Sequence, residues 1–249
     1  MVNYANKRKK RLKYIHKDMN IIVNGGSKGI GKEVIIHLAK DQDNKIIVTG
    51  RDESALQRLA ETAEYKNIRF MVIDLIRLSE KLKSIQNEVL SQFDAIDILI
   101  NNAGNLVSKK FVDMHENEAR KMMEINFFAP ATLIRVFQPY MRNGSHIVNI
   151  SSMGAFQGST KYSGLSYYSA SKSALACLSE CLASELSGSG IKVNCLALGS
   201  VQTEMLDEAF PGYKAPLTAK EMAEFIADFA LNGGRFFNGK IIPVALGNP

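Results

Sequence analysis

An apolar pentapeptide, Asn20-Ile-Ile-Val-Asn24, runs directly into Gly25-Gly26-Ser27-Lys28-Gly29-Ile30-Gly31, and a segment of helical period follows over 29–40. Glycine is costly inside a strand or a helix and cheap in a turn, so the strand has to end at the glycines and the helix to begin after them. The order strand, tight loop, helix is that of a βα unit, the building block of a parallel sheet.

The rest of the chain repeats that alternation. Strand-like runs are expected at 20–24, 45–50, 68–73, 96–101, 146–150, 192–197 and 240–245, with helix-like segments around 29–40, 53–63, 78–92, 115–141, 168–187 and 218–231. The runs are nearly continuous in apolar residues, as in IDILI at 96–100, which fits strands covered on both faces by helices. The expected fold class is α/β, a doubly wound Rossmann-type α/β/α sandwich around a seven-stranded parallel sheet. No repeat or Pro/Gly/Ser linker interrupts it, so residues 19–249 are expected to form one domain.

Charge needs locating before it means anything. The net +6 is concentrated in residues 1–18, where Lys7, Arg8, Lys9, Lys10, Arg11, Lys13 and Lys17 face Asp18 alone. Of 31 bases and 25 acids in the chain, removing those seven and that one leaves 24 of each, so the body is neutral. The tail has neither an apolar core nor a small-residue cleavage site, and Met19 stands where the first strand begins. It is expected to be a solvated extension or a mis-assigned start, in preference to a nucleic-acid or membrane element. No apolar run reaches the ~20 residues of a membrane span. Cys177, Cys181 and Cys195 lack metal or CxxC spacing, which points to a reducing, cytoplasmic setting. Cys177 and Cys181, four apart on a predicted helix, are expected to be core or interface residues.

Glycines at 25, 29 and 31 allow a tight turn, a close approach of backbone to a pyrophosphate, and helix–strand packing, while the helix start offers free N–H groups. In this context Gly25, Ser27, Lys28, Gly29, Ile30 and Gly31 are expected to hold a dinucleotide. The second strand ends Thr49-Gly50-Arg51, with no carboxylate for a ribose 2′-hydroxyl. Asp52 and Glu53 fall in the first turn of the next helix, so Arg51 and Lys28 favour NADP(H) over NAD. Asp74 after the third strand, with Leu75, is expected either to meet the adenine or to cap a helix. Asn101-Asn102-Ala103-Gly104 closes the fourth strand with small residues that leave room for a ligand.

Tyr168 and Lys172 in Tyr167-Tyr168-Ser169-Ala170-Ser171-Lys172 share one helix face, and an ammonium beside a phenol lowers a pKa that is otherwise about 10. Ser151 and Ser152 end the fifth strand, at the sheet edge where a ligand crevice belongs, and could polarise a carbonyl.

Together NGGSKGIG (24–31), Asp74, NNAG (101–104), Asn126, ISS (150–152), YSASK (168–172) and LGSVQTEM (198–205) resemble the short-chain dehydrogenase/reductases, from about Met19 onward. The resemblance implies Tyr168 as proton donor or acceptor, Lys172 as its electrostatic partner and ribose anchor, and Ser152 as the group that orients the reacting oxygen. It implies a water held by Asn126 that links Lys172 to solvent, and cofactor contacts from Asn102, Ala103, Gly104, Val201 and Thr203. The substrate would be a small carbonyl or alcohol compound, with a 3-oxoacyl thioester, a small ketone or aldehyde and a sugar-like polyol all compatible, and subunits would pair, as a dimer or tetramer, through the helices near 115–141 and 168–186. A catalytically silent NADP-binding sensor is the alternative on the same fold. Four departures stand out: Asn24 for threonine, Leu198 for proline, a longer Ser152–Tyr168 loop expected to cover the substrate, and a C-terminal strand without the usual acid-Gly-Gly. The segment 206–222 carries few apolar anchors, which favours a small or exposed substrate.

Overall fold

The protein is described by a computed structural model covering residues 18–62 and 64–247. Of the basic tail only Asp18 falls among them, so the expectations placed on residues 1–17 lie outside the described residues. The chain opens β1 (Asn20–Asn24), α1 (Gly29–Ala39), β2 (Lys45–Gly50), α2 (Glu53–Ala60), β3 (Ile68–Val72), α3 (Leu78–Gln92) and β4 (Ile96–Asn101). It continues α4 (Glu116–Met123), α5 (Ala129–Phe137), β5 (Met141–Ser152), α6 (Ser166–Glu185) and β6 (Lys192–Leu198). The last stretch adds β7 (Val201–Gln202), α7 (Glu204–Ala209), β8 (Leu217–Thr218), α8 (Ala219–Asn232) and β9 (Ile241–Val244).

Seven strands form one parallel sheet in the order β3-β2-β1-β4-β5-β6-β9. The order reverses between β1 and β4, and a crevice opens at that switch point beyond the carboxyl ends of the strands. Side-chain alternation sorts the apolar runs into two cores. Ile21, Val23, Ile98, Ile100, Val148 and Leu196 pack toward Val34 and Leu38 of α1 and Ile226 of α8. Ile22, Leu99, Ile147 and Val193 pack toward Ile85 and Val89 of α3 and Leu133 and Phe137 of α5. Burying each such side chain contributes about 1.5–3 kcal/mol, which explains runs apolar at every position and not at alternate ones.

The expected single helix over 115–141 is instead α4, a π-helical turn at Glu124–Phe128, α5 and a short 3₁₀ turn at Gln138–Tyr140. The fifth strand extends to both sides of the expected 146–150. β7 and β8 form a separate two-stranded sheet that the sequence pattern did not signal, being only two residues each. Leu198, where the resemblance would place proline, is a strand residue opposite Ser152 and Val244, and Gly199 N–H donates to the Val244 carbonyl at 2.9 Å. That pairing fixes the start of the following loop. No helix among the described residues is long and apolar enough to cross a membrane.

His146 in β5 is buried between the sheet and α8. Its Nδ1–H donates to the Ala230 carbonyl at 2.9 Å and its Nε2 accepts from Asn194 Nδ2 at 3.0 Å, a pairing that suits the neutral ring. Burial holds its pKa down to about 4 against 6.5 for the free side chain. Between those values the unfolded chain binds the proton and the folded chain does not, so stability falls as pH drops from 6.5 toward 4. The accumulated loss is roughly 3 kcal/mol. Denaturant titrations from pH 7 to 4 are expected to show this slope, and His146→Gln to flatten it. An equal slope in both proteins would discard the assignment.

Candidate active site

The crevice is a cavity of about 730 Å³. Four groups of residues reach it: the glycine loop after β1, the segments at the ends of β2 to β6, the Tyr162–Leu165 loop with the first turns of α6, and the segment from β7 through α7 to Tyr213.

On the loop, Gly25 and Gly29 have positive φ, +88° and +55°. A Cβ on Gly25 would lie 2.5 Å from Ala103 Cα, and one on Gly31 would lie 2.0 Å from the Gly25 carbonyl oxygen, so backbone packs where any side chain would be. Asn102 Nδ2 donates to that same carbonyl at 2.6 Å, tying the loop to the end of β4. Lys28, preceding α1, makes no side-chain cap and no acid sits in the first turn, so the helix start is left for an external anion. Asn24, buried, accepts from Thr49 Oγ1 at 2.9 Å and stitches β1 to β2.

At the end of β2, Ser27 packs beside Gly50, and Arg51 and Lys28 line the cavity. Asp52 Oδ1 accepts from Ala55 N–H at 2.9 Å as the cap of α2. Its carboxylate is therefore committed to the helix, as expected from its position. Lys28 Nζ lies 3.6 Å from Glu208 on α7, a surface pair worth little in stability that bridges loop and lid. Asp74 is the cap of a 3₁₀ turn, accepting from Ile76 N–H at 3.1 Å, and also lines the cavity with Leu75.

The two serines that end β5 diverge. Ser151 is buried and donates to the Lys172 carbonyl at 2.9 Å, whereas Ser152 faces the cavity and accepts from Gly154 N–H at 3.2 Å. Tyr168 and Lys172 of α6 line the same wall. The expected net lowering of the phenol is corrected here: burial outweighs it and raises the Tyr168 pKa, and a side-chain hydrogen bond with Ser152 pulls it back only in part. Lys172 Nζ donates to the Ile150 carbonyl at 2.9 Å, and burial lowers its own pKa to about 8.

Asn126 is fully buried in the π-helical turn. Its Oδ1 accepts from Asn105 N–H at 2.7 Å, and its Nδ2 donates to the Asn105 carbonyl at 2.8 Å and to Ser171 Oγ at 2.9 Å. A Cβ on Gly104 would lie 3.4 Å from Lys172 Nζ and 3.6 Å from Asn126 Oδ1, so both polar groups meet at that glycine. The extra residue of a π turn rotates Asn126 into this position, a use of such turns common at functional sites.

Val201 and Thr203 reach the cavity from the β7 side, and Thr203 caps α7. The residues expected at the site border the crevice except for two: Gly31, packed against the Gly25 carbonyl, and Asn126, which stands one layer behind the wall. The cavity also takes in Leu165 of the Ser152–Tyr168 loop, Met205 of LGSVQTEM, and Leu206, Phe210 and Tyr213 of segment 206–222, together with Leu106 and Met153, which no motif marked. The only sequence signal of Leu106 and Met153 is position, just after β4 and β5. Cys177 and Cys181 are exposed on α6, not in the core, while Cys195 is buried, and all three thiols are free.

The family model described as short chain dehydrogenase matches residues 19–214. An uncharacterized oxidoreductase of Staphylococcus saprophyticus is 31% identical over 212 residues, covering 83% of this chain and 88% of its own. One from Staphylococcus aureus strain N315 is 28% identical over 229 residues, covering 91% of this chain and 96% of its own. A short chain dehydrogenase from Burkholderia cenocepacia, solved in complex with NADP, superposes with a TM-score of 0.81 at 25% identity, covering 93% of this chain and 98% of its own.

Proposed function

The chain belongs to the short-chain dehydrogenase family, and from that premise we propose that it is an NADP(H)-dependent oxidoreductase interconverting a carbonyl and an alcohol, with Tyr168 as general acid and base. The observation that carries this reading is that Ser152, Tyr168 and Lys172 share one cavity with the glycine loop.

The site fits a dinucleotide: Gly25, Gly26 and Gly31 of the loop admit no Cβ, and the start of α1 is uncapped. Gly25, Ser27, Gly29, Ile30 and Gly31 would hold the phosphates, Asp74 and Leu75 the adenine side, and Asn102, Ala103 and Gly104 the middle of the molecule. Val201 and Thr203 would hold the carboxamide end, and Lys172 the ribose. When bound, NADPH supplies the hydride for carbonyl reduction. The chain's own part is to position and protonate. Tyr168, held protonated by burial, suits the role of proton donor to the developing alkoxide. Ser152 fixes the carbonyl oxygen beside it, and the Lys172 ammonium stabilises the phenolate left behind. Asn126 and the Asn105 backbone hold the polar path by which a water would return the proton. The relative from Burkholderia cenocepacia carries NADP, which supports the same nucleotide here.

Two outcomes test the nucleotide site. Arg51→Ala is expected to weaken NADPH binding about 10- to 100-fold and NADH binding little, since a cation bound to a phosphate contributes about 1.5–3 kcal/mol. Parallel titrations of nucleotide fluorescence read this, and equal losses for both nucleotides would refute the 2′-phosphate role. Gly31→Ala is expected to remove measurable binding of either nucleotide, because its Cβ would sit 2.0 Å from the Gly25 carbonyl oxygen. Normal affinity in that variant would show the cradle to be unnecessary.

We also propose that copies pair through the face on which Phe111, 65% exposed, stacks on Tyr167, next to Val112, 84% exposed. Light scattering would give a dimer or tetramer. Free thiols on the exposed face of α6 fit a cytoplasmic location.

A further inference from the structure

The cavity divides by chemistry. Its charged lining lies at the nucleotide end or the reacting centre: Lys28 and Arg51 beyond β1 and β2, Asp74 beyond β3, Lys172 behind Tyr168, and Glu204 beside Gly29. The large apolar side chains of the lining are Leu106, Met153, Leu165, Met205, Leu206, Phe210 and Tyr213, supplied by the segments after β4, β5 and β7, and none of them brings a carboxylate or a cation. The Tyr213 hydroxyl is hydrogen-bonded with Ser200 Oγ at 3.0 Å, which ties the Tyr213 ring to the loop after β6. Ser163 and Tyr162 are exposed residues at the cavity's margin.

That apolar wall is held in place. The Ala215 N–H donates to Gln202 Oε1 at 3.0 Å, Gln202 Nε2 bonds Asp207, and β8 pairs with β7. The segment from α7 to Tyr213 therefore supplies Leu206, Phe210 and Tyr213 as anchored side chains, the few apolar anchors that segment 206–222 brings to the cavity. Resting on the oxidoreductase reading above, we propose that the substrate is an uncharged, hydrophobic ketone or aldehyde carrying an aromatic or alicyclic group. A carboxylate or phosphate placed against this wall would lose hydration without a counter-charge. A polyol would leave hydroxyls unpaired, whereas an apolar ring gains roughly 25 cal/mol for each Å² buried.

The test compares acetophenone, 4-acetylbenzoate and erythrulose with the NADPH-loaded protein. Both kcat/KM and calorimetric binding to the NADPH-loaded Tyr168→Phe variant are measured, the second independent of turnover. Acetophenone is expected to exceed each of the others about 100-fold in kcat/KM, the scale on which unpaired polar groups discriminate. In Phe210→Arg, the gap between acetophenone and 4-acetylbenzoate is expected to narrow at least about tenfold, by providing the missing cation. If that variant does not fold, the comparison on the unmodified protein decides alone. Equal or better use of 4-acetylbenzoate or erythrulose would overturn the substrate class and leave the oxidoreductase reading standing. Failure to bind NADPH at all would overturn both.

Discussion

Replacing Tyr168 by phenylalanine is expected to lower carbonyl reduction by about 10²- to 10⁴-fold, the range that a positioned general acid supplies. The ring remains, so packing on α6 and the cavity wall is retained; only the hydroxyl shared with Ser152 is lost. Nucleotide affinity should change little, because the cradle is built by Gly25, Gly31 and Ala103 and not by this side chain. The discriminating result is the combination: NADPH bound with near-normal affinity and kcat removed. A variant that keeps more than about a tenth of kcat would mean that another group donates the proton.

Lys172→Met is expected to separate stability from activity. The ammonium is 3% exposed and has one protein acceptor, the Ile150 carbonyl. Its pKa of about 8 lies below the 10.5 of the free side chain. Between those values the unfolded chain binds the proton and the folded chain does not, so stability rises with pH across that window. Below pH 8 the penalty is present in full, on the order of 1–3 kcal/mol. The variant should therefore melt about 3–8 °C higher at pH 7. At the same time reduction should fall about 10²-fold or more, since no cation remains to stabilise the phenolate. In the unmodified protein, kcat/KM for reduction should decline as pH rises through about 8 and Lys172 loses its charge. A lower melting temperature joined to unchanged turnover would show that Lys172 serves the fold and not the reaction.

Much of this was legible in the chain because the physics involved is local. Apolar runs at 20–24 and 96–101 gave their strand bounds to the residue, since burial on both faces keeps the centre of each run apolar while Asn24 and Asn101 mark the ends. Gly25, Gly31 and Lys172 stood out because few residues satisfy a positive φ, a backbone contact or a buried cation. What escaped was set by tertiary context. Helical period cannot reveal a π turn, because one inserted residue at Glu124–Phe128 leaves the apolar spacing almost intact while re-aiming Asn126. The direction of the Tyr168 shift was misjudged for a related reason: spacing places Lys172 on the same face but does not show its ammonium turned to Ile150, nor how dry the phenol is. Leu165, Leu206 and Phe210 carry no motif, and only the folding of three loops over one sheet edge makes them a wall.

The central claim is that this cavity performs hydride chemistry and does not merely house a nucleotide. A single turnover with NADPH deuterated at nicotinamide C4, in either configuration, and excess acetophenone tests it, with the alcohol followed by mass spectrometry. Deuterium is expected in the product alcohol from one of the two configurations, and to be absent when Tyr168→Phe is used over the same time. Tight NADPH binding with no label passed to any of a panel of neutral, anionic and polyol carbonyl compounds would contradict it.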